Sequence, residues 1–501
     1  MNKFTTLSSP QRGYSDPKEK IHEMGLRTNE VSEAISDGIA LPNQPFGTGN
    51  SIGRPPLERP MSSLRPPRND GRRVKFQTLG CRLNQYETQA IREQFLSAGY
   101  CETENDQEAD LLVLNTCTVT NESDKENRYL IRRFHRENPD AKIVVTGCYV
   151  ERNEFEIKSL PGVTLTVLNR QKAQLFNLFE SCTSLTFAPI ELPSKRTYTP
   201  LTISEFEGKT RAFIKVQDGC NHACSFCKVV LVRGPARSRA IEDVVEEAKR
   251  LCDQGFKEIV LTGIQLGSYG YDLKKRQMLC DIIERLSCID GLERIRLSSI
   301  EPTDVTNELI EMIAQNDRVC SHLHIPLQSG NDEVLKRMNR RYRRDFFRGL
   351  IQNLDFQVPD FVLTTDVMIG FPGESLEQFE NTVEILSETK PYKLHIFPYS
   401  AREGTRAAGF SDLIDPVEMN RRRDILLSLE NELRTQIQRR YVSRRLNVLT
   451  EEGKCEDGWV NGRSANYLKV CFPGDRIAGI NYQVEITNIK GADLIGHIAN
   501  Y

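Results

Sequence analysis

The chain contains no run of about 18 apolar residues, so its sequence offers no membrane-spanning helix. Its opening stretch, MNKFTTLSSPQRGYSDPKEK, lacks the apolar segment of a secretory signal. Asp16, Glu19, Glu23, Glu30, Glu33 and Asp37 argue against an organelle-targeting peptide, and a cytoplasmic location with no membrane partner is expected. Charge of either sign is also not in excess. The formal net charge is −2 over 501 residues, so any surface for nucleic acid has to be local. Without a secretory signal, the 14 cysteines read as metal ligands and buried thiols more readily than as disulfides.

The length suggests about three domains. Residues 1–71 are rich in Pro, Ser, Gly, Asn and Arg and poor in large apolar side chains, as in PFGTGNSIGRPPLERPMSSLRPPRNDG. Such a segment cannot bury a core and is expected to be disordered. It reads either as a dispensable tail or as a basic arm offering Arg54, Arg59, Arg65, Arg68, Arg72 and Arg73 to RNA. From Val74, strand-like VKFQTLGC, ADLLVLNTC and AKIVVTGC alternate with helical patterns, which predicts a three-layer α/β domain over 72–185. SCTSLTFAPIELPSKRTYTPLTISEFEG reads as a linker. Six further strands then alternate with helices over 206–436: RAFIKVQDGC, KEIVLTGI, RIRLSSIE, SHLHIPLQ, FVLTTDVMIGF and KLHIFPYS. Six βα units predict an open, partial TIM-like (β/α)6 barrel. Short strand patterns separated by Gly, Asn and Asp over 437–501 predict a small β-barrel.

Directly after the first of these six strands comes DGCNHACSFCKVVLVRGPARSR. Cys220, Cys224 and Cys227 have a C-x3-C-x2-C spacing, which lets one loop present three thiolates to one face of an iron–sulfur cluster. A 4Fe–4S cluster needs four ligands, so one iron would stay open to a substrate or cofactor. The bland alternative is a zinc site completed by a distant His or Cys, although such motifs usually pair two C-x2-C elements or add histidines. His222 lies inside the loop as a possible competing ligand. Loops at the C-terminal ends of barrel strands are where βα barrels place their sites.

Cys81, Cys117 and Cys148 each close a predicted strand of the N-terminal domain, after TLG, LNT and VTG. Strand ends of a parallel sheet share one edge, so three residues remote in sequence can meet there. The alternative is three unrelated buried thiols.

The C-x3-C-x2-C loop with Phe226 before its last cysteine resembles the radical S-adenosylmethionine superfamily. TLGCRLNQYET, NTCTVTN, TGC, RGPARSR, LTGIQLGSYG, IPLQSGNDEVLKRMNRRY and MIGFPGES together resemble its methylthiotransferase family, and the C-terminal barrel resembles that family's TRAM domain. The resemblance implies two 4Fe–4S clusters, one on Cys81, Cys117 and Cys148 and one on Cys220, Cys224 and Cys227. It implies S-adenosyl-L-methionine as radical source and methyl donor, and an electron donor such as flavodoxin or ferredoxin. LTGIQLGSYG and RLSSIEPTDV look most like the branch that converts N6-threonylcarbamoyladenosine in tRNA to its 2-methylthio form. The alternatives are isopentenyladenosine in tRNA or a ribosomal protein.

On the same basis Phe226, Gly263, Ile264, Gln265 and Glu301 are assigned to cofactor contact, although Gly263 also reads as a tight βα turn and Glu301 as a helix start. Gln328 and Ser329 would line the cavity, Asp366 would serve a backbone amide, and His324 would be a packed strand residue. Arg439, Arg440, Arg444 and Arg445 are assigned to RNA. The run Lys336, Arg337, Arg340, Arg341, Arg343, Arg344 and Arg348 reads as a solvated face or a phosphate site. Arg233 is a candidate to read the N6 substituent. Trp459 and Tyr467 would either stack on bases or fill the barrel core. Cys101, Cys182, Cys252, Cys280, Cys288, Cys320, Cys455 and Cys471 carry no motif and read as buried small apolar residues.

Overall fold

The computed structural model describes residues 71–183, 194, 197–206, 208–455, 458–474 and 477–499. The expected tail, with Arg54, Arg59, Arg65 and Arg68, lies outside the described residues. Arg72 and Arg73 lie inside them, exposed and each with a partner in the same domain. Arg72 donates to the Tyr100 hydroxyl at 3.1 Å, and Arg73 pairs with Glu108.

The first sheet has five parallel strands in the order Cys101–Glu102, Arg73–Thr78, Leu111–Thr116, Lys142–Gly147, Val163–Val167. Every residue of the central Leu111–Thr116 strand is buried, as a parallel strand covered on both faces requires. The Val163–Val167 strand was not expected. It is five residues long, half-exposed, and placed between two helical segments, so its pattern is too short to stand out.

Six parallel strands follow: Arg211–Lys215, Glu258–Thr262, Arg294–Leu297, His322–His324, Val362–Ile369 and Lys393–Pro398. They form two three-stranded ladders. The bridges Ile295–Val319 and Ser299–His324 join the ladders into one open curved sheet. Side chains alternate along each strand. Ala212, Ile214, Ile259, Leu261, Ile295, Leu297, Leu323 and Leu394 belong to the apolar core. Helix Ile241–Asp253 supplies that core with Ile241, Val244, Val245, Ala248 and Leu251, an i, i+3, i+4, i+7 stripe. Burial of each Ile, Val or Leu among these contributes about 2 kcal/mol. The alternate positions (Phe213, Lys215, Glu258, Arg296, His322, His324, Thr364, Asp366 and His395) are mostly polar and share the concave face.

Helix Pro416–Arg439 leads to a closed five-stranded barrel ordered Arg445–Lys454, Val460–Ser464, Lys469–Phe472, Asp493–Ile498, Asn481–Lys490. This barrel docks on the N-terminal ends of the six strands, opposite the cysteine loop. Arg294 donates to the Arg463 and Asn447 carbonyls at 2.8 Å each, Arg296 donates to the Ala465 carbonyl at 3.0 Å, and Arg211 pairs with Glu451 at 2.7 Å. Tyr467 is buried and stacks on His322 with ring centroids 4.3 Å apart. It fills the floor of the six-stranded half-barrel and is not free to stack on a base. Trp459 is half-buried.

Three expectations change. The described part of the supposed linker is a clasp: Leu201, Ile203 and Phe206 are buried, the Leu201 carbonyl accepts from Tyr86 at 2.5 Å, and the Ile203 amide donates to Glu247 at 2.9 Å. Cys455 and Cys471 form a disulfide, with Cα atoms 6.1 Å apart on neighbouring stretches of the small barrel. Cys101, Cys182 and Cys288 are exposed, whereas Cys280 and Cys320 are buried as expected. No helix among the described residues is long and apolar enough to cross a membrane.

Candidate functional site

The N-terminal cysteines converge because of the turns before them. Cys81 caps helix Arg82–Ser97, and Cys117 and Cys148 each follow directly on a strand. Gly80 has φ +92°, and a Cβ there would lie 2.7 Å from the Cys117 sulfur. Gly147 has φ +106°, and its Cβ would lie 2.3 Å from the Thr116 carbonyl oxygen. Only glycine lets these chains turn and approach so closely. Burial, then the neighbouring Cys81 and Cys148, push the Cys117 thiol up to about 12. Burial also raises Cys148, against the opposing charges of Arg233 and Lys172.

The second triplet sits on the loop after Arg211–Lys215. The His222 amide donates to the Cys220 sulfur at 3.2 Å and the Val229 amide to that of Cys227 at 3.5 Å. Residues 338–340 hold the loop from behind. The Met338 carbonyl accepts from the Ser225 amide at 2.9 Å, Asn339 donates to the Ala223 carbonyl at 2.7 Å, and Arg340 donates to the Cys224 sulfur at 3.4 Å. Burial pushes Cys220 up to about 11 and Cys227 up to about 12. Thiols so buried stay protonated until a metal displaces the proton.

The donor sets discriminate between metals. A tetrahedral zinc site with Zn–S bonds of about 2.3 Å would bring its sulfurs to about 3.8 Å from one another. Among the described residues neither triplet brings its three sulfurs within 4.8 Å of one another. Their wider spread, with amide and guanidinium donors aimed at the sulfurs, fits a multi-iron cluster.

The two triplets are tied together by a buried charge network. Arg233, six residues after Cys227, donates to the Cys148 sulfur at 3.2 Å, to Glu87 at 2.6 Å and to the Asn84 side chain at 2.6 Å. It also reaches Asp218 at 3.4 Å. Lys215 bonds Glu87 at 2.6 Å and Asp218 at 2.7 Å, Arg237 bonds Asp218 at 3.1 Å, and Lys172 pairs with Glu87. Four buried cations thus meet two buried carboxylates. The surplus positive charge faces the Cys148 side, where it suits an anionic thiolate cluster. At the other edge of the half-barrel, Arg402 donates to Asp124 at 2.6 Å and to the Thr118 carbonyl at 2.9 Å, beside Cys117.

The structure brings Gln265 and Glu301 to the barrel loop. The Gln265 side-chain oxygen accepts from the Asn221 backbone amide at 3.2 Å and lies 3.4 Å from the Cys220 sulfur. Glu301 pairs with Arg340. Gly263 packs against Gln217, with a built Cβ only 2.9 Å from its side-chain oxygen, and Ile264 is half-buried next to it. Phe226 packs against the cluster of Val334, Met338, Met368 and Phe371. Gln328 takes a left-handed φ of 62° and Ser329 is fully buried. The Asp366 carboxylate meets His324 at 3.0 Å and not a backbone amide.

The basic run divides: Lys336, Arg341 and Arg343 are exposed, whereas Arg337, Arg340, Arg344 and Arg348 are engaged by the protein. Arg340 turns inward, Arg337 donates to the Pro372 carbonyl at 3.0 Å, and Arg344 pairs with Glu384 at 2.8 Å. Arg439, Arg440, Arg444 and Arg445 are exposed at the floor end, away from both triplets, with Arg444 bound to Asp360 at 2.5 Å and Arg445 to Glu485 at 3.4 Å. Arg233 is buried and committed, so it does not face a substrate. Asn84, Glu87, Lys172 and Asp218 had not been singled out in the sequence. Their only signal is polar residues within otherwise buried segments.

A family model described as uncharacterized protein family UPF0004 matches residues 73–168, and one described as the radical SAM superfamily matches residues 214–386. The chain is 41% identical over 408 residues to the threonylcarbamoyladenosine tRNA methylthiotransferase MtaB of Bacillus subtilis, covering 80% of this chain and 90% of that one. It is 36% identical over 427 residues to the MtaB of Chlamydia pneumoniae, covering 85% and 97%. A tRNA-2-methylthio-N(6)-dimethylallyladenosine synthase of Clostridium botulinum is 31% identical over 409 residues, covering 80% and 91%. The chain therefore belongs to the MtaB-type tRNA methylthiotransferase family of the radical S-adenosylmethionine superfamily.

Proposed function

We propose that this chain converts N6-threonylcarbamoyladenosine in tRNA to 2-methylthio-N6-threonylcarbamoyladenosine, using S-adenosyl-L-methionine and a 4Fe–4S cluster on each cysteine triplet. The observation that carries the two-site reading is Arg233, which leaves the loop of one triplet and donates to a sulfur of the other at 3.2 Å. When bound, the cofactors supply the radical, the methyl group and the sulfur; the remaining work falls to the protein.

Cys220, Cys224 and Cys227 would hold one cluster, offering three thiolates to it. Gln265 and the Glu301–Arg340 pair stand beside that loop and orient the amino acid part of the cofactor. Phe226 and the apolar side chains behind it exclude water from the loop. Cys81, Cys117 and Cys148 would hold the second cluster from the N-terminal domain. Arg233 and Arg402 fix the N-terminal domain at its two edges, so the distance between the triplets is set by buried contacts. The adenine enters the polar concave face, where its C2 hydrogen, unreachable by acid–base chemistry, is presented to both. Exposed Arg439 and Arg440 contact tRNA phosphates; Arg444 and Arg445 contribute less because carboxylates already hold them. A flavodoxin or ferredoxin type of protein supplies electrons.

The test offers reconstituted enzyme two tRNAs, one with threonylcarbamoyladenosine and one with isopentenyladenosine. Mass spectrometry of the nucleosides should find the methylthio group on the first. Its appearance on the second alone overturns the substrate assignment.

A further inference from the structure

Threonylcarbamoyl and isopentenyl groups differ most in charge, because only the former carries a carboxylate. If the substrate reading above holds, a cation on the concave face should meet that carboxylate. Most cations there are already neutralised. Lys215 and Arg233 are held by Glu87 and Asp218, Arg296 by Glu258, Arg211 by Glu451, and Arg340 by Glu301. Lys393 begins its strand at the floor end, farthest from the cysteine loop.

Arg82 is different. It follows Cys81, at the first position of helix Arg82–Ser97, and is half-buried. Its guanidinium carbon lies 5.8 Å from the centroid of the Phe213 ring, on the concave face. Among the described residues it has no carboxylate partner. Its charge reaches the far wall of the same face. Burial, then His324 and Lys393, and lastly Arg82, push His395 down to about 4 against the opposing pull of Asp366. Asp366 does not neutralise Arg82, because it is engaged by His324 at 3.0 Å. A guanidinium laid on an aromatic ring keeps its edge N–H groups free, and that fork matches a carboxylate.

We propose that Arg82 reads the N6 substituent, pairing through two N–H donors with the threonylcarbamoyl carboxylate. An isopentenyl group in the same place would leave the guanidinium desolvated without a partner, which disfavours it.

The experiment compares kcat/KM of wild-type, R82Q and R82K holoenzymes, matched for iron content, on three tRNAs. These carry threonylcarbamoyladenosine, its carboxyl methyl ester and isopentenyladenosine. The wild type should lose about 10- to 100-fold on esterification, the range for removing a hydrogen bond to a charged group. R82Q should lose a similar factor on the free acid and become indifferent to esterification. R82K should recover part of the preference. A general loss of structure would lower all three substrates together and would not erase the ester effect. R82Q enzyme that still prefers the free acid over the ester by the wild-type factor overturns the role of Arg82 alone. Wild-type enzyme inactive on threonylcarbamoyl tRNA overturns the substrate reading and this inference with it.

Discussion

At the scale of single residues, the site depends on charges buried in pairs. Arg233 sits between Glu87, Asp218 and a cysteine sulfur, with its side chain almost wholly hidden. Replacing it by Ala leaves Glu87 to Lys172 and Lys215 and Asp218 to Lys215 and Arg237, but strips the Asn84 side-chain oxygen and the Cys148 sulfur of their buried donor. That should cost about 1–3 kcal/mol in denaturant unfolding. R233K keeps the charge but loses the fork and should cost less. Glu258 gives a pH prediction. Arg296, with Arg211 and Arg294, overrides the upward push of burial and holds its carboxyl down to about 2, below its ordinary 4.5. A group depressed in this way stabilises the fold above its ordinary range, and the contribution is lost as pH falls toward the folded value. Between pH 5 and pH 2, each bound taken from about those limits, wild-type unfolding free energy should drop by about 3 kcal/mol more than that of E258Q. Equal slopes would contradict the assignment. The cysteines were legible in the sequence because three of them lie in one short loop and the other three end strands. Arg233 was not, since its partner Glu87 is 146 positions away and nothing local marks the pair.

At the scale of elements, the strand–helix alternation was readable because each barrel strand carries its own apolar stripe and ends in Gly or a polar turn. Readings failed where tertiary contacts made the element. The segment around Leu201, Ile203 and Phe206 reads as linker because it has no helical or strand period, yet it is clasped by Tyr86 and Glu247. Tyr467 is the same kind of case. It takes a left-handed φ of 76° in a turn of the small barrel and inserts under His322, Arg296 and Arg463. Truncation to Ala should cost about 3 kcal/mol through the lost burial of a large aromatic. The docked barrel should then become sensitive to limited proteolysis in the segment after Arg439. Wild-type protease resistance in the Y467A variant would show that the tyrosine does not hold the two elements together.

At the scale of the whole molecule, the half-barrel is closed at both ends by other parts of the chain. The C-terminal barrel plugs the floor, and the N-terminal domain lies across the mouth, pinned by Arg233 at the first strand and Arg402 beyond the last. Two cysteine triplets from different domains are therefore joined through the buried contacts of Arg233. Such closure brings the second cysteine triplet beside the first without any spacing motif, because three strand ends of one sheet edge supply it. Arg402→Ala should loosen one edge only, so it should lower product formation more than it lowers total iron; parallel loss of both would mean that Arg402 merely stabilises the fold. The most direct test of the two-site account is iron per chain in reconstituted protein. Wild type should bind about eight irons, and the triple alanine variants at Cys81, Cys117 and Cys148 or at Cys220, Cys224 and Cys227 about four each. Wild-type iron content in the variant lacking Cys81, Cys117 and Cys148 would contradict it.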